Sequence, residues 1–189
     1  MNTDQVSDEL AVNNLQNYMN TYGILSCNLN KYLPAIDEVG GNWNAIITLI
    51  EQREVFHCKA YRKRTTYLSK ELYYLLKPHK QQTASLPDFS KKILNFLSEY
   101  GPANTTTIKN VLFLSNKEFS IHFDLLLQEM LVTVIKKDST INQTWSSFIW
   151  GTYTDWEKTT NCYRDKDDEY LIELLSKSLS SKEITKLMG

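Results

Sequence analysis

The sequence predicts an α+β fold that is mostly helical, on three observations. Apolar residues recur at helical spacing in several segments, as in Phe89, Ile93, Phe96, Leu97 and Tyr100. Residues 89–151 run helix, Gly-Pro break, short helix, longer helix and then two short β-rich segments. Helices followed by a hairpin signal also fill residues 7–76, which suggests a structural duplication without a visible sequence repeat.

Ser7 to Tyr22 reads as a first helix, with Leu10, Leu15, Tyr18, Met19 and Tyr22 on its apolar side and Gly23 ending it. Ile24 to Ser26 reads as a short strand, and Lys31 to Val39 as a helical turn around Leu33 and Ile36. Gly40-Gly41 breaks the chain. Trp43 to Gln52 returns to helical spacing through Trp43, Ile46, Ile47 and Ile50, with Asn42 placed to cap it. Val55 to Ala60 and Thr65 to Leu68 read as strands around Tyr61-Arg62-Lys63-Arg64, and Ser69 to Leu76 as a short helix.

Residues 78–87, with prolines at both ends and few apolar residues, read as a linker. Pro87 and Asp88 suit the start of the next helix, and Gly101-Pro102 stops it. Asn104 can cap a short helix through about Leu112, with Ile108, Val111 and Leu112 inward. Ser115 or Asn116 can cap a third, running to about Met130, with Phe119, Phe123, Leu126 and Met130 buried. Leu131 to Ile135 and Thr144 to Trp150 read as a hairpin, and the polar stretch Lys137 to Gln143 as its tip. Further on, acidic residues from Asp165 to Glu169 open a helix with Tyr170, Leu171, Leu174, Leu175 and Leu179 on one side. Ser180 with Glu183 fits a capping box for a last helix.

This order is that of a winged helix-turn-helix. The predicted organisation is tandem: an N-terminal helical and hairpin unit over 1–77, a linker over 78–87, a winged-helix unit over 88–152 and a helical extension over 153–189. The third helix of the second unit is the candidate recognition helix, and the hairpin the wing.

Composition narrows the function classes. The formal net charge is −1, which excludes a strongly basic coat for nucleic acid but allows a local basic patch. The longest strongly apolar run, Ala45 to Ile50, is too short to span a bilayer, and the polar start does not look like a signal peptide. Three widely spaced cysteines, Cys27, Cys58 and Cys162, predict neither a disulfide framework nor a zinc site, and cytoplasm is the expected compartment.

The strongest local charge lies in the first hairpin, where Lys59, Arg62, Lys63 and Arg64 stand beside Tyr61 and Tyr67. On a strand, Arg62 and Arg64 would share a face and grip consecutive phosphates; as a solvated turn they would only keep a strand edge soluble. Lys117 and Ser120 on the third helix, and Lys136 and Lys137 at the second hairpin, complete the candidate DNA contacts. Glu118, Asp124 and Glu129 offset the helix charge. His57 and Cys58 are neighbours on a strand and face opposite ways, so they form no base–nucleophile pair; a buried Cys and a partly exposed His are expected. His122 borders the core. The acidic run at Asp165, Asp167, Asp168 and Glu169 lacks a calcium loop's spacing and Gly. Trp145, Phe148, Trp150, Tyr153 and Trp156 suggest core packing first and a small-molecule pocket between domains second. Gly40-Gly41 is no phosphate loop. Neither a cofactor nor a metal is expected.

The segments Arg62-Lys63-Arg64-Thr65-Thr66-Tyr67-Leu68-Ser69 with Glu71 to Leu76, and Ile93 to Pro102, Thr105 to Leu112, Phe123 to Val132 and Phe148 to Gly151, resemble the tandem winged-helix superfamily of AlkZ-type DNA glycosylases and their smaller relatives. The likeness covers about two thirds of the chain and implies a DNA-associated architecture. That family's water-positioning Gln-x-Gln or Gln-x-Asp element occurs nowhere here, so the catalytic residues do not carry across. The expected function is therefore non-enzymatic binding of double-stranded DNA, as a regulator or repair accessory. The alternatives are a diverged DNA glycosylase and a protein-interaction module on the same scaffold.

Overall fold

The computed structural model describes residues 3–81, 83–142, 145–158 and 167–189. The chain is α+β and mostly helical, with two small three-stranded antiparallel sheets. The N-terminal unit runs α1 (Thr3–Tyr22), β1 (Ile24–Ser26), a 3-10 turn (Asp37–Val39), α2 (Trp43–Glu51), β2 (Val55–Cys58) and β3 (Thr66–Ser69). The second runs α4 (Asp88–Tyr100), β4 (Ala103–Asn104), α5 (Thr105–Leu112), α6 (Asn116–Gln128), β5 (Val132–Asn142) and β6 (Trp145–Thr152). The strand orders, β1-β3-β2 and β4-β6-β5, are equivalent: in both units the last strand lies between the other two. Between the units stand α3 (Lys70–Leu76) and a 3-10 turn (Lys77–His79); after them come α7 (Tyr153–Glu157), α8 (Asp168–Ser176) and α9 (Ser181–Met188).

Local chemistry places the helices. Asn42 Oδ1 accepts from the Ala45 N–H at 2.8 Å, Ser69 Oγ from Leu72 at 3.2 Å and Asn104 Oδ1 from Thr107 at 2.9 Å. Ser115 and Glu118 form a reciprocal capping box on α6. Each cap satisfies an amide that the helix leaves unpaired and contributes about 1 kcal/mol. Gly23 ends α1 at φ +75°, a torsion that glycine adopts without strain.

Three apolar clusters hold the elements together. Leu15, Ile46, Leu49 and Ile50 join α1 and α2 over the first sheet, and Val134 of β5 enters the same cluster. Phe56, Tyr73 and Trp156 pack with Leu171, Leu175 and Leu187, so the C-terminal helices cover the first unit. Ile93, Ile108, Phe123 and Leu126 build the core of the second. The stretch read as a linker is tied down at its two ends: the Gln81 N–H donates to Glu129 O at 3.0 Å, and Leu86 is buried.

The units are also stitched by hydrogen bonds. Thr133 Oγ1 accepts from the His57 N–H at 3.1 Å and donates to His57 O at 2.9 Å. The Lys59 N–H donates to Leu127 O at 3.0 Å, and the Arg53 guanidinium donates to Ile135 O.

Several expectations need correction. Only Asp37–Val39 of the segment 31–39 is helical, because the Asn30 carboxamide and the Ser26–Ala35 bridge hold its first part in turns. Val111 faces solvent, since α5 meets the core through Ile108 and Leu112. Met130 is buried but lies beyond α6, at φ +56°. The polar stretch after Ile135 is strand as far as Asn142, not hairpin tip: Lys137, Ser139 and Thr140 pair with Phe148, Ser147 and Ser146. Trp145's side chain, Gln143, Cys162 and Asp165 lie outside the described residues.

Candidate functional site

The first hairpin does not present Arg62 and Arg64 on a strand. Residues 60–63 form a turn in which Arg62 and Lys63 take left-handed torsions, φ +53° and +56°, so no strand alternation exists there. The Arg62 guanidinium stacks 3.7 Å above the Tyr32 ring and pairs with Glu183 of α9 at 2.9 Å. The Tyr61 hydroxyl donates to the same carboxylate at 2.6 Å. These bonds, from Tyr61 first and then Arg62, hold the Glu183 carboxyl down to about 2. Lys59 reaches the second unit, where its Nζ meets Asp124 of α6 at 2.7 Å. Both partners are partly exposed, so this pair contributes under about 1 kcal/mol, but it fixes the hairpin against the helix.

Lys59, Arg62 and Lys63 nonetheless converge, with two cations the sequence did not single out, Lys80 and Lys186. The five surround a cleft of about 400 Å³ that also contains Glu129 and Glu183. Five positive groups against two negative ones leave it basic. Among the described residues, Lys63, Lys80 and Lys186 make no ion pair. Lys80 follows the 3-10 turn and Lys186 lies on α9, so only the tertiary fold brings them to the hairpin.

Arg64, Lys117, Ser120 and Lys136 are exposed and border none of these hollows, and Lys137 lines a different one with Asn42, Trp43 and Thr140. Lys117 and Ser120 stand one turn apart on α6. The N-terminal half of that helix is open to solvent, whereas its C-terminal half is covered through Phe123, Leu126 and Leu127. Phe113, in the turn before it, is 93% exposed, and Ile121 is 58% exposed on the same stretch.

A larger hollow lies between the units. It is a cavity of about 670 Å³, walled by Trp43, Tyr67, Phe119, Phe123, Phe148 and Trp150. At its lining sits His57, buried rather than partly exposed as expected. Its strand β2 is covered on one side by the first core and on the other by β5 and β6, so alternation no longer leaves one face wet. The His57 ring contacts Tyr67, Phe148 and Trp150 at centroid distances of 5.6, 6.3 and 5.4 Å, and its Nδ1 has no hydrogen-bond partner. Burial, reinforced by the nearby Lys59 charge, lowers its pKa to about 4, so the ring is neutral at pH 7.

Other cavity groups are engaged. Asp124 holds Lys59, and Asp138 accepts from Ser147 at 3.2 Å. Burial pushes the Cys27 thiol up, which leaves it protonated and a poor nucleophile. Cys58 faces away and contacts Thr66 Oγ1 at 3.5 Å, so no pairing with His57 arises. His122 borders the core beside Ser90, as expected. Among the described residues no cluster of His, Cys, Asp and Glu could hold a metal, and no helix is long and apolar enough to cross a membrane.

Searches against family models, curated proteins and solved structures find no match for this chain.

Proposed function

We propose that the chain is a non-enzymatic protein of two winged-helix units that binds double-stranded DNA through the second. The observation that carries this is the solvent-open N-terminal half of α6, which follows a tight turn from α5 and presents Asn116, Lys117 and Ser120. Helix-turn-helix proteins contact base edges with the N-terminal residues of the corresponding helix. The order helix, strand, helix, helix, strand, strand of the second unit, with the last strand central, supports a winged unit, and the first unit follows it with a three-residue 3-10 turn in place of the middle helix. The basic cleft at Lys59, Arg62, Lys63, Lys80 and Lys186 supplies charge for phosphates, with Lys136 and Lys137 on β5 as wing contacts.

Anisotropy of a labelled duplex tests the reading. About four phosphate contacts cost on the order of a hundredfold in affinity between about 50 and 200 mM salt. Binding indifferent to salt, or unchanged after Lys117→Ala with Lys63→Ala, would overturn it.

A second reading, a protein-docking surface, is favoured by one observation: Phe113 and Ile121 expose large apolar surface beside Lys117. Under that reading Phe113→Ser leaves duplex affinity unchanged and abolishes capture of a protein partner.

A further inference from the structure

We propose that the outer face of α4, with the end of α5, is a self-association surface that docks antiparallel on the same face of a second copy of this chain. α4 turns Ser90, Ile93, Phe96 and Leu97 inward. Its outer side is not simply polar. Phe89 is 37% exposed and Tyr100 71%, and Val111 of α5 is 51% exposed. The Tyr100 ring packs 5.4 Å from that of Phe96, and with Val111 and Leu112 the two line a groove of about 650 Å³. Large apolar side chains gathered at one exposed groove mark a docking surface.

Charge along the groove selects a second copy as the occupant. Lys92 and Glu99 both line it. They stand two helical turns apart on one side of α4, separated by roughly 10 Å along its axis. Among the described residues neither makes an ion pair, and the Lys92 ammonium lies 5.0 Å from the centre of the Phe89 ring. A face that is positive at one end and negative at the other is complementary to itself reversed. Across a twofold axis, positions equally far from the axis meet. With the axis between Asn95 and Phe96, each Lys92 meets Glu99 of the other copy, which gives two equivalent ion pairs. Asn95 also lines the groove and falls beside the axis. There its carboxamide, both donor and acceptor, meets its own copy. Tyr100 of each copy falls at the Phe89–Lys92 end of the other, where a ring and an ammonium attract it. A partner of uniform charge would set like charges together at one end of the groove.

This inference stands independently of DNA binding: neither Lys117 nor Ser120 lines the groove, and the test contains no nucleic acid. Sedimentation velocity of the full chain across the micromolar range, at about 50 mM salt, reads it. A reversible dimer is expected. Lys92→Glu should weaken it at least about tenfold, because both contacts then set carboxylates together, and Glu99→Lys should weaken it as much by setting ammoniums together. Both positions are exposed, so the fold is kept, and circular dichroism checks this. Mixing the two variants in equal amounts should restore the dimer, and so should the double exchange Lys92→Glu/Glu99→Lys in one chain. Val111→Asp, at another exposed lining position, should weaken self-association of the otherwise unsubstituted chain. A chain that stays monomeric at every concentration would overturn the assignment and leave the groove to a different protein. Single exchanges that dimerise like the unsubstituted chain, or a mixture that stays monomeric, would overturn it as well.

Discussion

The two units share strand order, and a three-residue 3-10 turn in the first stands where α5 lies in the second, yet they use the helix before the hairpin in opposite ways. In the first, α2 buries Ala45, Ile46, Ile47, Leu49 and Ile50, and β5 of the second unit packs across it. In the second, α6 buries Phe119, Phe123, Leu126 and Leu127 and leaves Lys117, Ser120 and Ile121 open. Both helices are amphipathic, but the apolar side of α2 is the wider, with five of its nine residues buried and only Asn44, Thr48 and Glu51 forming a polar stripe. The same architecture thus serves as a scaffold in one copy and as the proposed reading surface in the other. The hairpins differ in parallel: β2 and β3 span four residues each, and β5 and β6 span 11 and eight. The long hairpin is what reaches back to cover α2.

The contrast is sharpest in stability. Leu49→Ala in α2 should cost about 2–5 kcal/mol, because a fully buried side chain leaves a cavity. Ile121→Ala in α6 should stay within about 0.5 kcal/mol. Urea unfolding of the two variants reads the difference, and equal costs would break the comparison.

Acid should act next most strongly, through His57. Its folded pKa, about 4, lies below the ordinary value of 6.5, so the unfolded chain binds more protons between those limits. Stability is therefore full above about pH 6.5 and falls toward pH 4, by on the order of 3 kcal/mol. Glu183, held down to about 2, loses its contribution in a lower window, as pH falls from 4.5 toward 2. Denaturation midpoints across the two windows should show His57→Phe flattening only the upper one.

A smaller effect tests the seam between the units. Thr133→Val keeps shape but strips both backbone groups of His57 of their side-chain partner. A loss of about 1–3 kcal/mol is expected, and with it faster amide exchange at His57.

How far the sequence carried these conclusions varies with the range of the interaction. Caps at Asn42 and Asn104 are local, a few residues from their partners, and they are plain in the sequence, which also narrows the cap of α6 to Ser115 or Asn116; Ser69 reads there as the first residue of its helix, whereas its hydroxyl caps it. The strands of the first hairpin were equally plain. The length of the second was not, since exposed Ser139 and Thr140 carry no apolar alternation and are held by Ser146 and Ser147 across the pair. Long-range charge pairing was invisible. Lys59 meets Asp124 across 65 positions and Arg62 meets Glu183 across 121, so residues read as free phosphate contacts are partly neutralised. Lys80 and Lys186 were missed for the same reason. The aromatic run at Phe148 and Trp150 did carry a signal for a pocket, but the buried state of His57 depends on a second unit closing over its strand.

In the proposed function the open end of α6, and not its buried counterpart α2, meets duplex DNA. Anisotropy titrations at about 50 and 200 mM salt of Lys117→Ala/Ser120→Ala, set beside Thr48→Ala on α2, test it most directly. Binding about tenfold weaker and a salt slope shallower by about 1 are expected for the α6 variant, with no change for Thr48→Ala. Equal affinities for the unsubstituted chain and both variants would overturn the assignment.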